Sequence, residues 1–233
     1  MTDIIVELKN VTKKYKKSVA VDSVNLSLKK GKIYGLVGKN GAGKTPIMRM
    51  IADLSVPTEG EVNVLVDNIG TLIESPALNV GMTAKENIRF FSMLSERSSN
   101  KKSGYSEEEL LKLVGLEYTD NKKVKDFSLG MKQRLGIAIA LLNNPDFVML
   151  DEPINGLDPI GVVEIRNLIK ALNDKKGITF LISSHNLPEL HNTATDYIII
   201  DNGIIKKEIT QEQLDKEENE NLEEYFLSII KEA

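Results

Sequence analysis

The residues with the clearest chemistry are Gly38-Lys39-Asn40-Gly41-Ala42-Gly43-Lys44-Thr45, which match the pattern G-x-x-x-x-G-K-[ST]. Glycines at this spacing let the backbone curl until successive N–H groups face one anion, and a helix behind the loop adds its positive end. In such a loop Lys44 reaches the β- and γ-phosphates of a nucleoside triphosphate, and the Thr45 hydroxyl ligates Mg²⁺. The bland alternative is a Gly-rich turn with a surface lysine; a strand signal before it and a helix signal after it argue for the phosphate site. Pro46 is the oddity, because it lacks the N–H that would otherwise add a bond to the phosphates. Early in a helix the ring itself is tolerated.

Phe147-Val148-Met149-Leu150-Asp151-Glu152 is an apolar strand ending in two acids. Beside a phosphate loop, Asp151 would hold Mg²⁺, usually through water. Glu152 would polarise the water that attacks the γ-phosphate. Many buried strands end in acids, so this pattern gains its meaning from the loop. Ser128, in Asp126-Phe127-Ser128-Leu129-Gly130-Met131-Lys132-Gln133-Arg134, is a natural helix N-cap. The amides it leaves suit a second phosphate contact, or simply begin a helix.

The elements that must position these groups are legible as patterns. Ile4 to Leu8 and Val24 to Leu28 alternate as strands, Lys30-Gly31-Lys32 turns, and Ile33 to Val37 is a short apolar strand feeding the loop. A helix is predicted over 47–54 and a strand over 61–66. Thr83 to Glu86 and Ser106 to Glu109 are capping boxes, Gly115 marks a helix end, and Ser95 to Gly104 reads as an exposed loop. Further helices are predicted over 129–142 and 162–172, with a buried strand over 178–183. Asn202-Gly203 joins Tyr197 to Ile200 with Ile204 to Ile209 as a hairpin. Leu222, Tyr225, Phe226 and Ile229 keep helical spacing, so the acidic tail is expected to pack back. The expected architecture is an α/β core over about 1–74 and 145–210. A helical subdomain occupies about 75–144 and an acidic helical tail 211–233.

Composition removes whole classes of function. The 233 residues contain no cysteine, which excludes disulfides, thiolate metal sites and thiol catalysis. Lys and Arg number 30 against 34 Asp and Glu, a net charge of −4, and aromatics are 5% without Trp. That balance argues against a nucleic-acid partner, which needs a basic face or stacking platforms. No apolar run approaches the roughly 20 residues that span a bilayer. Met1-Thr2-Asp3-Ile4 carries an acid where a signal peptide carries positive charge, so a cytoplasmic location is expected.

Taken together, these motifs resemble the nucleotide-binding subunit of an ATP-binding cassette (ABC) transporter, in family order along nearly the whole chain. Phe127 to Gln133 resembles the signature Leu-Ser-Gly-Gly-Gln. Asn155-Gly156-Leu157-Asp158 resembles the D-loop, His185 the switch histidine and Tyr15 the aromatic that stacks on adenine. The resemblance implies a P-loop NTPase (RecA-like) core with an N-terminal antiparallel β subdomain and an inserted helical one. It implies ATP and Mg²⁺ bound in a head-to-tail pair of cassettes, as a homodimer or with a related cassette. One phosphate loop would then face Ser128, Leu129, Gly130 and Met131 of the other subunit, with Asp158 communicating between sites. His185 would hold the γ-phosphate and the attacking water; by itself it could equally be a buried hydrogen-bonded histidine. His191 is assigned no role. The family also implies an integral membrane permease, peripheral attachment on the inner face of the membrane, and a permease helix seated between the helical lobe and the loop around Glu74.

Leu129 and Met131 depart from the signature, and Glu74 stands where most cassettes carry a Mg²⁺-contacting Gln. As an isolated loop residue Glu74 would be a solvated charge. The segment 61–74 looks short for the family. Glu74 with Ser128 to Gln133 resembles a bacterial exporter subgroup that protects against peptide antibiotics, as in lantibiotic immunity and bacitracin resistance. Phe90, Phe91 and Met93 fit either a helical core or a partner surface. Lysines 13, 14, 16 and 17 around Tyr15 fit either a solvated face or attraction of the triphosphate. Two other readings stay open: a soluble ATP-gated interaction protein outside transport, and a nucleotide-binding module with poor turnover. Restoring the missing amide with Pro46→Thr is expected to tighten ATP binding by about tenfold, the worth of one charge-assisted hydrogen bond. Isothermal titration giving an unchanged or weaker dissociation constant would refute it.

Overall fold

Alternating apolar residues bury one face of two long strands, β1 (Ile4–Tyr15) and β2 (Ser18–Lys29), which pair antiparallel. In the computed structural model, residues 3–16, 18–96, 104–216 and 222–231 are described. The next strand, β3 (Ile33–Val37), is buried along its whole length, as a strand covered on both faces must be. The glycine loop leads from it into α1 (Lys44–Ile51). This helix begins three residues before the predicted start, with Pro46 inside its first turn, where no intrahelical donor is needed. It also ends earlier, and Leu54 lies beyond it, exposed.

Then come β4 (Glu59–Val64), two residues earlier than predicted, and β5 (Ile69–Leu72), which the sequence pattern did not reveal. α2 (Ala84–Glu96) is opened by the Thr83–Glu86 box, in which Thr83 N–H donates to the Glu86 carboxylate at 2.7 Å. That bond, with help from Lys123, holds the Glu86 carboxyl below the usual carboxylate range. Ser95 and Glu96, expected in a loop, extend this helix, and most of the rest of that loop (97–103) lies outside the described residues. α3 (Glu107–Leu113) carries the second capping box, with Gly115 just past its end. Two single 3₁₀ turns lead to α4 (Leu129–Ala140), capped by Ser128.

The chain then alternates: β6 (Phe147–Asp151), α5 (Pro159–Lys176), β7 (Thr179–Ser184), α6 (Leu187–His191), β8 (Asp196–Asp201) and β9 (Ile204–Thr210). Asn202 and Gly203 both adopt positive φ at the β8–β9 turn, as a two-residue hairpin loop of this type demands. α7 (Gln211–Leu214) and α8 (Leu222–Lys231) close the chain.

Two sheets result. The smaller has order β2-β1-β4, and the larger β5-β6-β7-β3-β8-β9, parallel except for β9. One buried cluster lies between them and wraps α1 (Leu8, Leu28, Leu36, Ile47, Met48 and Ile198). The other face of the large sheet joins α2 to α5 with the tail. Leu222, Tyr225 and Phe226 are buried there beside Leu187 and Leu190, so the tail packs back as its spacing predicts. Removing Phe226, only 6% exposed, leaves a hole the α6–α8 contact cannot easily close. Phe226→Ala should therefore cost about 3 kcal/mol in urea unfolding. A loss under about 1 kcal/mol would mean the tail contributes little packing.

Candidate nucleotide site

Sheet order decides which residues meet. Because β7 lies between β6 and β3, the carboxyl ends of these parallel strands open side by side, where open α/β sheets bind ligands. The glycine loop leaves β3, Asp151 and Glu152 end β6, and Ser183, Ser184 and His185 end β7.

Gly43 is held at φ 109°, and a Cβ there would lie 2.6 Å from the Ala20 carbonyl oxygen, so no other residue fits. No side chain caps α1, which leaves its leading amides for an anion. The Lys44 ammonium is 6% exposed and folds back over the loop. It donates to Gly38 O at 2.6 Å and Lys39 O at 3.3 Å, and lies 3.7 Å from Glu152 Oε1. The Thr45 hydroxyl donates to Asp151 Oδ2 at 2.8 Å. Ser183 Oγ binds the other Asp151 oxygen and also accepts the Glu152 N–H at 3.1 Å.

Glu152 stands at the centre of this arrangement. Its backbone is in the left-handed region, φ 50°, a conformation costing of order 1 kcal/mol for a non-glycine residue. That geometry aims one carboxylate oxygen at Lys44. The other lies 2.8 Å from His185 Nδ1. Glu152 Oε1 is buried without a hydrogen bond, a polar atom that a water or phosphate oxygen would satisfy. A cleft of about 440 Å³ opens over the loop and the paired acids, lined by Tyr15, Ala20, Lys39, Asn40, Gly41, Gly43, Lys44, Thr45, Pro46, Asp151 and Glu152, while Gly38, Ala42, Ser183 and His185 stay outside its lining. That volume suits a small-molecule ligand. Tyr15 is half-exposed at the rim with Lys13 Nζ 5.3 Å from its ring centre, while Lys14 pairs with Glu59; Lys17 lies outside the described residues.

Not every candidate converges here. Ser128 caps α4 by accepting the Met131 N–H, and Asp158 caps α5 by accepting the Gly161 N–H at 2.7 Å. Neither these two nor Leu129, Gly130 or Met131 line the cleft. Ser128 and Leu129 are exposed, and the Leu129 side chain lies over Gly156. Glu74 also stays outside the cleft, at φ 65°, with its Oε1 2.9 Å from Arg49 Nη1 on α1. Among the described residues, no three His, Asp or Glu side chains cluster as a metal cage. A cation here would rest on Thr45 and Asp151, completed by water and phosphate oxygens, the donor set Mg²⁺ prefers.

Sequence reasoning missed Ser183, Arg49 and Ala20. Ser183 carried a faint signal, a hydroxyl residue in a buried strand just before His185; the other two had none. His191, left without a role, stacks on Tyr197 with ring centres 6.3 Å apart.

Comparison with known proteins points the same way. A family model described as ABC transporter matches residues 21–155. The bacitracin transport ATP-binding protein BcrA of Enterococcus faecalis is 40% identical over 92% of this chain and 72% of its own. The lantibiotic transport ATP-binding protein SrtF of Streptococcus pyogenes is 39% identical over 95% of this chain and 96% of its own. Among solved structures, the dimeric, post-hydrolysis cassette MJ0796 bound to ADP and phosphate superposes with TM-score 0.79. It is 30% identical and covers 89% of this chain and 99% of that one. With a glycine loop, paired acids and a histidine gathered at the ends of β3, β6 and β7, the chain belongs to the ABC transporter family as one of its ATP-binding cassettes.

Proposed function

We propose that this chain is the ATP-hydrolysing subunit of a bacterial exporter that removes peptide antibiotics of the bacitracin or lantibiotic kind. The convergence of Lys44, Thr45, Asp151 and Glu152 in one cleft, with His185 held against Glu152, carries the ATPase part of that reading. Relatives named for bacitracin and lantibiotic transport, alike over nearly the whole chain, support the cargo.

In this reading the loop amides from Gly38 to Thr45 bind the phosphates, and Lys44 exchanges its bonds to Gly38 and Lys39 for phosphate oxygens. Tyr15 stacks on the adenine. Thr45 and Asp151 hold Mg²⁺, which neutralises charge on the β- and γ-phosphates. Glu74 joins them as a more distant partner when it leaves Arg49. Glu152 accepts the proton of the attacking water, and His185 keeps the carboxylate aimed and contacts the γ-phosphate. Ser183 fixes both acids. Ser128, Leu129, Gly130 and Met131 of a second cassette close over the triphosphate, and Asp158 links the two sites. That accounts for the exposure of Ser128, Leu129 and Asp158 here, while Met131 packs against the core. Hydrolysis breaks the γ-phosphate bond, and release of the freed phosphate then removes the charge that holds the halves together, so the pair opens.

No described helix is long and apolar enough to cross a membrane, and in this reading the export path lies in a permease. The face that suits one is apolar. Phe90 is 42% exposed, Met93 57% and Leu94 49%, beside a groove of about 170 Å³ lined by Leu54, Pro76 and Phe91. The subunit would then sit on the cytoplasmic face of the membrane.

Glu152→Gln should keep ATP affinity, lower turnover at least about a hundredfold and accumulate dimers on size exclusion with ATP. Equal turnover in mutant and wild type would remove Glu152 from the water-activating role. Lys44→Ala should act earlier, weakening ATP binding itself by about tenfold or more in a fluorescent-nucleotide titration. An unchanged dissociation constant would place the triphosphate elsewhere.

A further inference from the structure

Three segments far apart in sequence meet at the carbonyl oxygen of Ala20. Gly43 of the phosphate loop presses on it from one side, where a Cβ would come within 2.6 Å. Gly203, in the β8–β9 turn, presses from another, where a Cβ would lie 2.8 Å from the oxygen and 3.1 Å from Val21 Cα. Gly203 also stitches the two sides together. Its N–H donates to Ala42 O at 2.9 Å, and its own carbonyl accepts the Asp22 N–H at 2.9 Å. Its φ of 79° admits glycine readily and a side chain only with strain.

Ala20 and Tyr15 belong to the β1–β2 hairpin wall of the cleft, and Ala42 is a buried residue of the glycine loop, whose Gly41, Gly43 and Lys44 form the other wall. We propose that Gly203 is a positioning residue: the hairpin tip sets the gap between these walls, and so how tightly the base end of ATP is held. The inference rests on reading the cleft as the ATP site. The walls are not equally stiff. The phosphate loop is tied by Lys44 to Gly38 and Lys39, and by α1 to a core in which Ile47 and Met48 are fully buried. β2 is the edge of the small sheet. A side chain at position 203 therefore displaces β2 and Tyr15 rather than the phosphate cradle.

Two variants of the full chain test this, Gly203→Ala and Asp22→Pro. The second removes the N–H that reaches Gly203, on an edge strand, without taking a bond from the strand ladder. Each is titrated with magnesium and ATP, then with magnesium and tripolyphosphate, which offers the phosphates without a base, and is melted without nucleotide. The expected result is ATP affinity lower by about tenfold with tripolyphosphate affinity nearly unchanged. Equal weakening for both ligands, or unchanged ATP affinity, overturns the positioning role. Should Gly203→Ala yield no folded protein, Asp22→Pro decides alone. Failure of the wild type to bind ATP would instead overturn the nucleotide reading, leaving the two failures distinguishable.

Discussion

A buried ammonium constrains everything around it. Moving such a group out of water costs several kcal/mol unless oxygens replace its hydration. Lys44, almost wholly enclosed, meets that demand with two loop carbonyls and the carboxylate of Glu152. The demand fixes the loop's shape, since Gly38 and Lys39 must turn their carbonyls inward. It also ties the loop to the end of β6. A phosphate oxygen offers an ammonium the same kind of partner as these carbonyls and this carboxylate, so the enclosure that holds Lys44 suits an anion as well. This is electrostatic preorganisation: the charge is placed before the substrate needs it.

That placement requires the sheet. β3, β6 and β7 are adjacent in space although the chain visits β3 over a hundred residues before β6, with the whole helical segment between. Parallel pairing puts their carboxyl ends on one edge, so the loop, the paired acids and the histidine need no long side chains to meet. Ser183 is the hinge pin of this edge, touching Asp151 through its hydroxyl and Glu152 through hydroxyl and carbonyl alike. A neutral residue thereby orients two acids whose spacing matters to the chemistry.

Much of this was legible beforehand. Strong periodicity and capping residues located β3, the start of α3 and the β8–β9 hairpin almost to the residue, whereas β1 and β2 were recognised but run on to Tyr15 and back to Ser18, where the alternation fades and only their pairing keeps them extended. The glycine loop and the acids at the end of β6 were readable because their side-chain types have few other uses together. β5 was not readable: Ile69-Gly70-Thr71-Leu72 is short and carries a glycine, and only pairing with β6 makes it a strand. Gly70 is there because a Cβ would run into the Ala140 carbonyl, a tertiary fact with no local trace. The early start of α1 was missed for a related reason, since glycines and a proline read as loop until the sheet positions them. Arg49 and Ala20 act through contacts across the fold, which no spacing reveals.

The departures from the family pattern are also better understood through such contacts than one at a time. Leu129, where a glycine is usual, would crowd a tight loop if it pointed inward. Its side chain instead lies across Gly156, which has no Cβ and leaves room for it. The segment from Ser128 to Met131 and the loop at Gly156 are therefore packed together within one chain. Glu74 follows the same logic at the opposite side. A carboxylate near a triphosphate is repulsive, but here it is held on Arg49 of α1, the helix whose first turn forms the phosphate cradle. An exposed pair of this kind contributes little to stability, typically about 0–1 kcal/mol, so it can open without unfolding anything. What it fixes is direction: while Arg49 holds Glu74, the negative charge stays outside the cleft.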